Sequence, residues 1–168
     1  MPQFEKAILL QMLPLAILII GFIILRFLNS KTFHNKLSFE LTGLIPVSLL
    51  LIFAGIAHFF YTKVMVDMMP EIIPLKLELV YLTGILELIA AIGLLYKNTR
   101  KITGILLIVF LLAILPANIS GSLKRIPIGG MDKGASYLWF RIPMQFFFIG
   151  WIYYFSIFKN ERSFSDER

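Results

Sequence analysis

The chain has no cysteine and only two histidines, His34 and His58. The missing cysteine removes disulfides, thiolate nucleophiles and sulfur-based metal sites together. Two histidines in separate segments do not make a histidine-rich metal centre. No Ser-His-Asp order and no paired metal-ligand spacing is visible. Gly129-Gly130 is the one glycine pair in a basic loop, but no helix of phosphate-binding type follows it, so it carries no nucleotide meaning. Charge is also scarce: 15% of the 168 residues are Asp, Glu, Lys or Arg.

What is abundant is apolar. Hydrophobic residues make up 58% of the chain, against about 45–50% in a soluble domain. Little chain is left for a separate soluble catalytic domain. The net charge of +6 does not indicate nucleic acid, because the basic residues sit in short loops between apolar runs. That is the pattern of loop anchoring and contact with anionic lipid.

Five apolar runs are long enough to cross a bilayer. The first, 7–28, follows Lys6 as a signal peptide would. It is too long for a signal h-region, and Arg26-Phe27-Leu28-Asn29-Ser30-Lys31 stands where a small-residue cleavage site belongs. It is read as a retained transmembrane helix kinked at Pro14. The second run, 39–61, holds Ala54, Gly55 and Ala57, small residues that admit a close neighbouring helix, and His58 near its end. The third is 75–96, the fourth 102–120 and the fifth 137–158. Residues 62–76 alternate Met, Val and Ile with Lys63, Asp67 and Glu71. This mixture suits a partly helical segment in the membrane interface, more a linker than a lid. The expected layout is an N-terminal helix and loop (1–36), a four-helix membrane domain (37–158) and a charged tail (159–168).

Five spans put the termini on opposite sides. Nine basic residues (Arg26, Lys31, Lys36, Lys97, Arg100, Lys101, Lys159, Arg162 and Arg168) fall on one side. Six (Lys6, Lys63, Lys76, Lys124, Arg125 and Lys133) fall on the other. The bias places the C-terminus in the cytoplasm and the N-terminus outside.

With that orientation, polar residues gather in the outer half of the bilayer. His58 ends the second span, Glu78 begins the third, Asn118 follows Pro116 near the end of the fourth, and Arg141 and Gln145 open the fifth on one helix face. An ionisable group in a span costs about 2.5–3.5 kcal/mol near the helix centre, so it calls for a partner or a task. Glu78 and Glu87 face opposite sides of their helix. Glu87 shares a face with Thr83, Gly84, Ala90 and Ala91, which points it into the bundle about 13 Å deeper than Glu78. At that depth Gln145 or water is an easier partner for Glu87 than Arg141. Each residue also has a plainer reading. Arg141 snorkels to the interface, His58 packs between helices, Asn118 satisfies a helix end, and the aromatic stretch from Phe146 to Tyr154 packs against lipid.

These residues also carry a resemblance. Gly55-Ile56-Ala57-His58-Phe59, Met69-Pro70-Glu71-Ile72-Ile73-Pro74, Tyr81-Leu82-Thr83-Gly84-Ile85-Leu86-Glu87, Pro116-Ala117-Asn118-Ile119 and Arg141-Ile142-Pro143-Met144-Gln145 occur in this order. Over residues 49–154 the chain resembles the DoxX-like proteins of bacterial membranes. The resemblance implies an all-α integral membrane bundle: a four-helix core, with the helix at 7–28 as an addition. It implies residence in the bacterial inner membrane. It also implies that His58, Glu87, Asn118, Arg141 and Gln145 occupy the family's recurrent polar positions.

One branch of that family is similar to a subunit of a thiosulfate:quinone oxidoreductase, so a quinone enters as an implied ligand. The leading expectation is a bundle without independent catalysis that binds a lipophilic molecule or a partner membrane protein through the polar cluster. The alternative is a membrane subunit of a quinone-linked oxidoreductase, with Glu87 as proton acceptor and His58 or Arg141 on the quinone oxygens. A small transporter is a weaker third, since no inverted repeat is visible.

Overall fold

A computed structural model describes residues 3–32 and 36–159, with side chains from residue 12 onward. His34 and most of the charged tail lie outside the described residues. Helix α1 (Gln3–Lys31) is followed by α2 (Phe39–Phe60), a short α3 (Thr62–Met68), α4 (Lys76–Gly93), α5 (Lys97–Ala113), α6 (Leu115–Leu123) and a 3₁₀ segment (Met131–Tyr137). Helix α7 (Leu138–Ile152) then runs into a π-helical turn (Tyr153–Phe158). No strand occurs among the described residues. Among the described residues, three stretches are long and apolar enough to cross a membrane: Met12–Lys31, Phe39–Phe60 and Lys97–Leu123. Helices α4, of 18 residues, and α7, of 15, are shorter and pack within the same bundle.

The boundaries depart from the apolar runs where backbone chemistry intervenes. The fourth run divides at Ile114, because Pro116 has no N–H with which to continue the helix. The fifth contains two changes of helical pitch, with the 3₁₀ segment before α7 and the π turn after it. Pro14 sits inside an unbroken α1.

Side chains close the helix ends. The Ser38 hydroxyl accepts from the Leu41 amide at 3.3 Å, and Glu40 lies in the first turn of α2, facing the positive end of its dipole. Asn29, fully buried, donates to the Leu37 carbonyl at 2.8 Å and accepts from the Leu37 amide at 3.0 Å, tying the end of α1 to the start of α2. At the same end of the bundle Arg100 is buried, and its Nε donates to the Leu94 carbonyl at 3.1 Å. The carbonyls left over at the end of α4 thereby gain a cationic donor.

Packing is densest between α2 and α4. A Cβ at Gly55 would stand 2.8 Å from the Gly84 carbonyl oxygen. One at Gly84 would stand 2.8 Å from the His58 Cβ. The two backbones meet with nothing between them, the close approach that small residues permit in membrane bundles. Leu18, Leu44, Val47, Leu94, Leu107, Ile152 and Phe155 fill the core away from α3. There Trp151 donates from Nε1 to the Gly43 carbonyl at 2.9 Å and joins α7 to α2.

Candidate functional site

The Gly55–Gly84 crossing sets the site. One helical turn after Gly55 comes His58, and one turn after Gly84 comes Glu87. Both therefore lie on the faces drawn together. On α4 the buried positions are Val80, Gly84, Glu87 and Ala91, spaced four, three and four apart, while Glu78 is exposed. The helix-face reading of the sequence requires this arrangement.

Glu87 is only 6% exposed. Its Oε2 lies 3.4 Å from Nδ1 of His58. That nitrogen is also 2.8 Å from the Ala54 carbonyl. A carbonyl accepts and never donates, so Nδ1 carries the proton and spends it on Ala54. Oε2 is left buried without a hydrogen bond, and so is Nε of Arg141. Buried polar atoms in this state are uncommon and expensive. Both belong to residues that line a cavity of about 330 Å³, within the range of about 300–1,000 Å³ typical of small-molecule sites.

The cavity lies between α2, α4 and the α5–α6 break, under a roof. Met65 and Met68 of α3, with Met69 beyond its end and Met131 of the 3₁₀ segment, form that roof. Lys63 and Asp67 on the opposite face of α3 are exposed. Lys124 pins the roof, its Nζ donating to the carbonyls of Asp67 at 3.2 Å and Met69 at 2.9 Å. A cation at these last carbonyls also suits the negative end of the α3 dipole. The segment read as a linker is thus one wall of the cavity.

Of the residues singled out from sequence, His58, Glu87, Asn118 and Arg141 line this cavity. Gln145 is buried one layer behind. Its Nε2 donates to the Leu111 carbonyl, and its Oε1 accepts from Asn118 Nδ2 at 3.4 Å. Leu111 lies at the α5–α6 break, so Gln145 serves a backbone group that the break leaves open. Of the expectation that Gln145 or water would partner Glu87, the Gln145 half is corrected: Gln145 bonds Leu111 and Asn118, and His58 stands 3.4 Å from the Glu87 carboxylate, because the glycine crossing brings α2 against that face of α4. Asn118 combines two duties, bonding Gln145 and lining the cavity.

Sequence reasoning did not single out Tyr137, which lies on the cavity wall. Its signal was its place four residues before Arg141, on the same side of the chain's helical path. The methionine roof was read only as interfacial mixture.

The fold and the cavity define an integral membrane helix bundle with a buried, incompletely satisfied polar cluster. The chain belongs to the family described as a domain of unknown function (DUF8561), which matches residues 47–156. No curated protein and no solved structure matches it. The matched region contains all five polar residues and leaves out α1.

Proposed function

We propose that the chain is a five-span bundle of DoxX-like type that binds a lipophilic small molecule at Glu87, Arg141, His58 and Asn118. The observation that carries this reading is that two of the three unsatisfied buried side-chain atoms among the described residues, Glu87 Oε2 and Arg141 Nε, belong to residues that line an otherwise mostly apolar cavity. A bundle that hid these groups for stability alone would pair them, since an unpaired buried polar atom costs about 1–3 kcal/mol. A ligand that brings a donor and an acceptor removes that cost when it binds. Helices α4 and α7 supply the third and fifth spans in this reading. The excess of basic residues at the Lys97 end puts that end in the cytoplasm of a bacterial inner membrane and the α3 roof outside.

Native mass spectrometry of the protein, extracted gently from its own membranes, tests the reading. A lipophilic molecule retained by the wild type and lost from Glu87→Gln and Arg141→Leu is the expected result. A bare bundle overturns it. A stoichiometric second protein replaces it with an assembly role, and a retained quinone supports the oxidoreductase-subunit alternative. Because the chain has no cysteine, Ile128→Cys introduces a single thiol for orientation. Labelling from outside is expected, and labelling only from the cytoplasm reverses the topology.

A further inference from the structure

A second cavity, of about 570 Å³, lies beside the first. Leu13 and Ile17 of α1, Leu50 and Phe53 of α2, Leu111 of α5 and Phe148 of α7 are among its walls. Among the described residues, Glu87 and Arg141 carry its only charged side chains, and the two cavities share both residues together with Ala54 and Ile114. The chambers therefore meet at the two residues that carry these unsatisfied atoms. The roofed chamber has His58, Thr83, Asn118 and Tyr137 as further polar lining. Beyond Glu87 and Arg141, the described residues that line the second chamber are all apolar.

The apolar chamber also reaches the surface of the bundle. Leu13 is 47% exposed and Phe53 65%, and in a bilayer such surfaces face lipid chains. A hydrocarbon tail entering there passes from one apolar medium into another and crosses no water. At the inner end, Oε2 of Glu87 needs a donor and Nε of Arg141 needs an acceptor. One hydroxyl group supplies both. A neutral head also brings no charge into a buried site, whereas a charged head must be stripped of its water to enter.

We infer that α1 closes a tail chamber, and that the site takes a single-chain amphiphile with a neutral hydroxyl head. The chain lies among Ile17, Leu50 and Phe148, and the hydroxyl sits between Glu87 and Arg141. This rests on the proposed function and adds the chemical class of the ligand and the part played by α1. Since α1 lies outside the region matched by the family, the chamber wall at Leu13, Pro14 and Ile17 is an addition to the family's polar cluster.

The test is binding of radiolabelled hexadecanol to the full chain in phosphatidylcholine nanodiscs, with hexadecanoate and hexadecyltrimethylammonium as competitors. Hexadecanol is expected to bind saturably and to be displaced poorly by either charged analogue. Ile17→Trp fills the chamber from α1 without touching the polar cluster, and should weaken hexadecanol binding by about tenfold or more. Its folding is checked by helical circular dichroism and the melting temperature. Tighter binding of either charged analogue overturns the neutral head. Unchanged hexadecanol binding in a folded Ile17→Trp variant overturns the tail chamber. Absence of saturable binding by all three probes overturns the whole inference. The proposed function survives any of these results if protein extracted from its own membranes still carries a lipophilic molecule that Glu87→Gln loses, and falls with the inference if it does not.

Discussion

Glu87 Oε2 lies 3.4 Å from Nδ1 of His58, yet receives no hydrogen bond from it, because that nitrogen's proton points to the Ala54 carbonyl 2.8 Å away. The Gly55–Gly84 crossing keeps the imidazole beside the carboxylate without satisfying Oε2. The acidic group is thus held in place, buried, and open to a further donor. Glu87→Gln is expected to reduce ligand retention and the yield of folded protein, and Arg141→Leu to do the same. Glu78→Gln should do neither, since Glu78 is exposed in the first turn of α4. Size-exclusion profiles and native mass spectra of the three variants check this. If Glu78→Gln were the most damaging, the assignment of helix faces would be wrong.

The glycine crossing makes a second prediction. At Gly84 a larger side chain collides with the His58 Cβ and the Gly55 backbone. Gly84→Val should destabilise the bundle by about 1–3 kcal/mol or more and move His58 away from Glu87. Gly150 on α7 has nothing within 4 Å of an added Cβ. Gly150→Ala should therefore be neutral, or stabilising by up to about 1 kcal/mol through helix propensity. Thermal unfolding in detergent ranks the two. Equal losses would remove the crossing as the organising contact.

Gln145 separates structure from binding. It lines neither cavity, but holds the Leu111 carbonyl and the Asn118 side chain. Gln145→Leu should cost about 1–2 kcal/mol of stability and leave ligand affinity nearly unchanged when measured below the melting temperature. A variant of full stability that no longer binds would place Gln145 on the ligand instead.

Lys124 governs the roof. Its two hydrogen bonds to the Asp67 and Met69 carbonyls are exposed, and they tie α3 to the segment after α6. Lys124→Ala should loosen the methionine roof without disturbing the helices beneath. With Met68→Cys as the only thiol in the chain, maleimide labelling should be faster in the Lys124→Ala background. An unchanged rate would mean that methionine packing alone keeps the roof closed.

Much of this molecule is legible in its sequence for elementary reasons. Long apolar runs cannot be solvated, so the membrane class follows from composition and length. Helical periodicity separates Glu87 from Glu78 across nine residues, since that spacing leaves half a turn. The small residues at 54, 55 and 57 mark a close approach, and Pro116 marks the end of a continuous helix.

What periodicity does not contain is which helix stands beside which. Depth along the axis suggested Gln145 or water as the partner of Glu87. Lateral placement gave the position to His58, because the Gly55–Gly84 contact brings α2 against α4 and leaves Gln145 with the Leu111 carbonyl. The methionines of 62–76 have the composition of an interfacial linker, and only their position over the cavity makes them a roof. The second chamber is invisible in sequence for the same reason: its apolar walls come from four helices whose apolar faces suit lipid equally well. The sequence thus determined the solvent, the helices and the inward face of Glu87. Tertiary packing alone decided the neighbour of its carboxylate and the space left unfilled beside it.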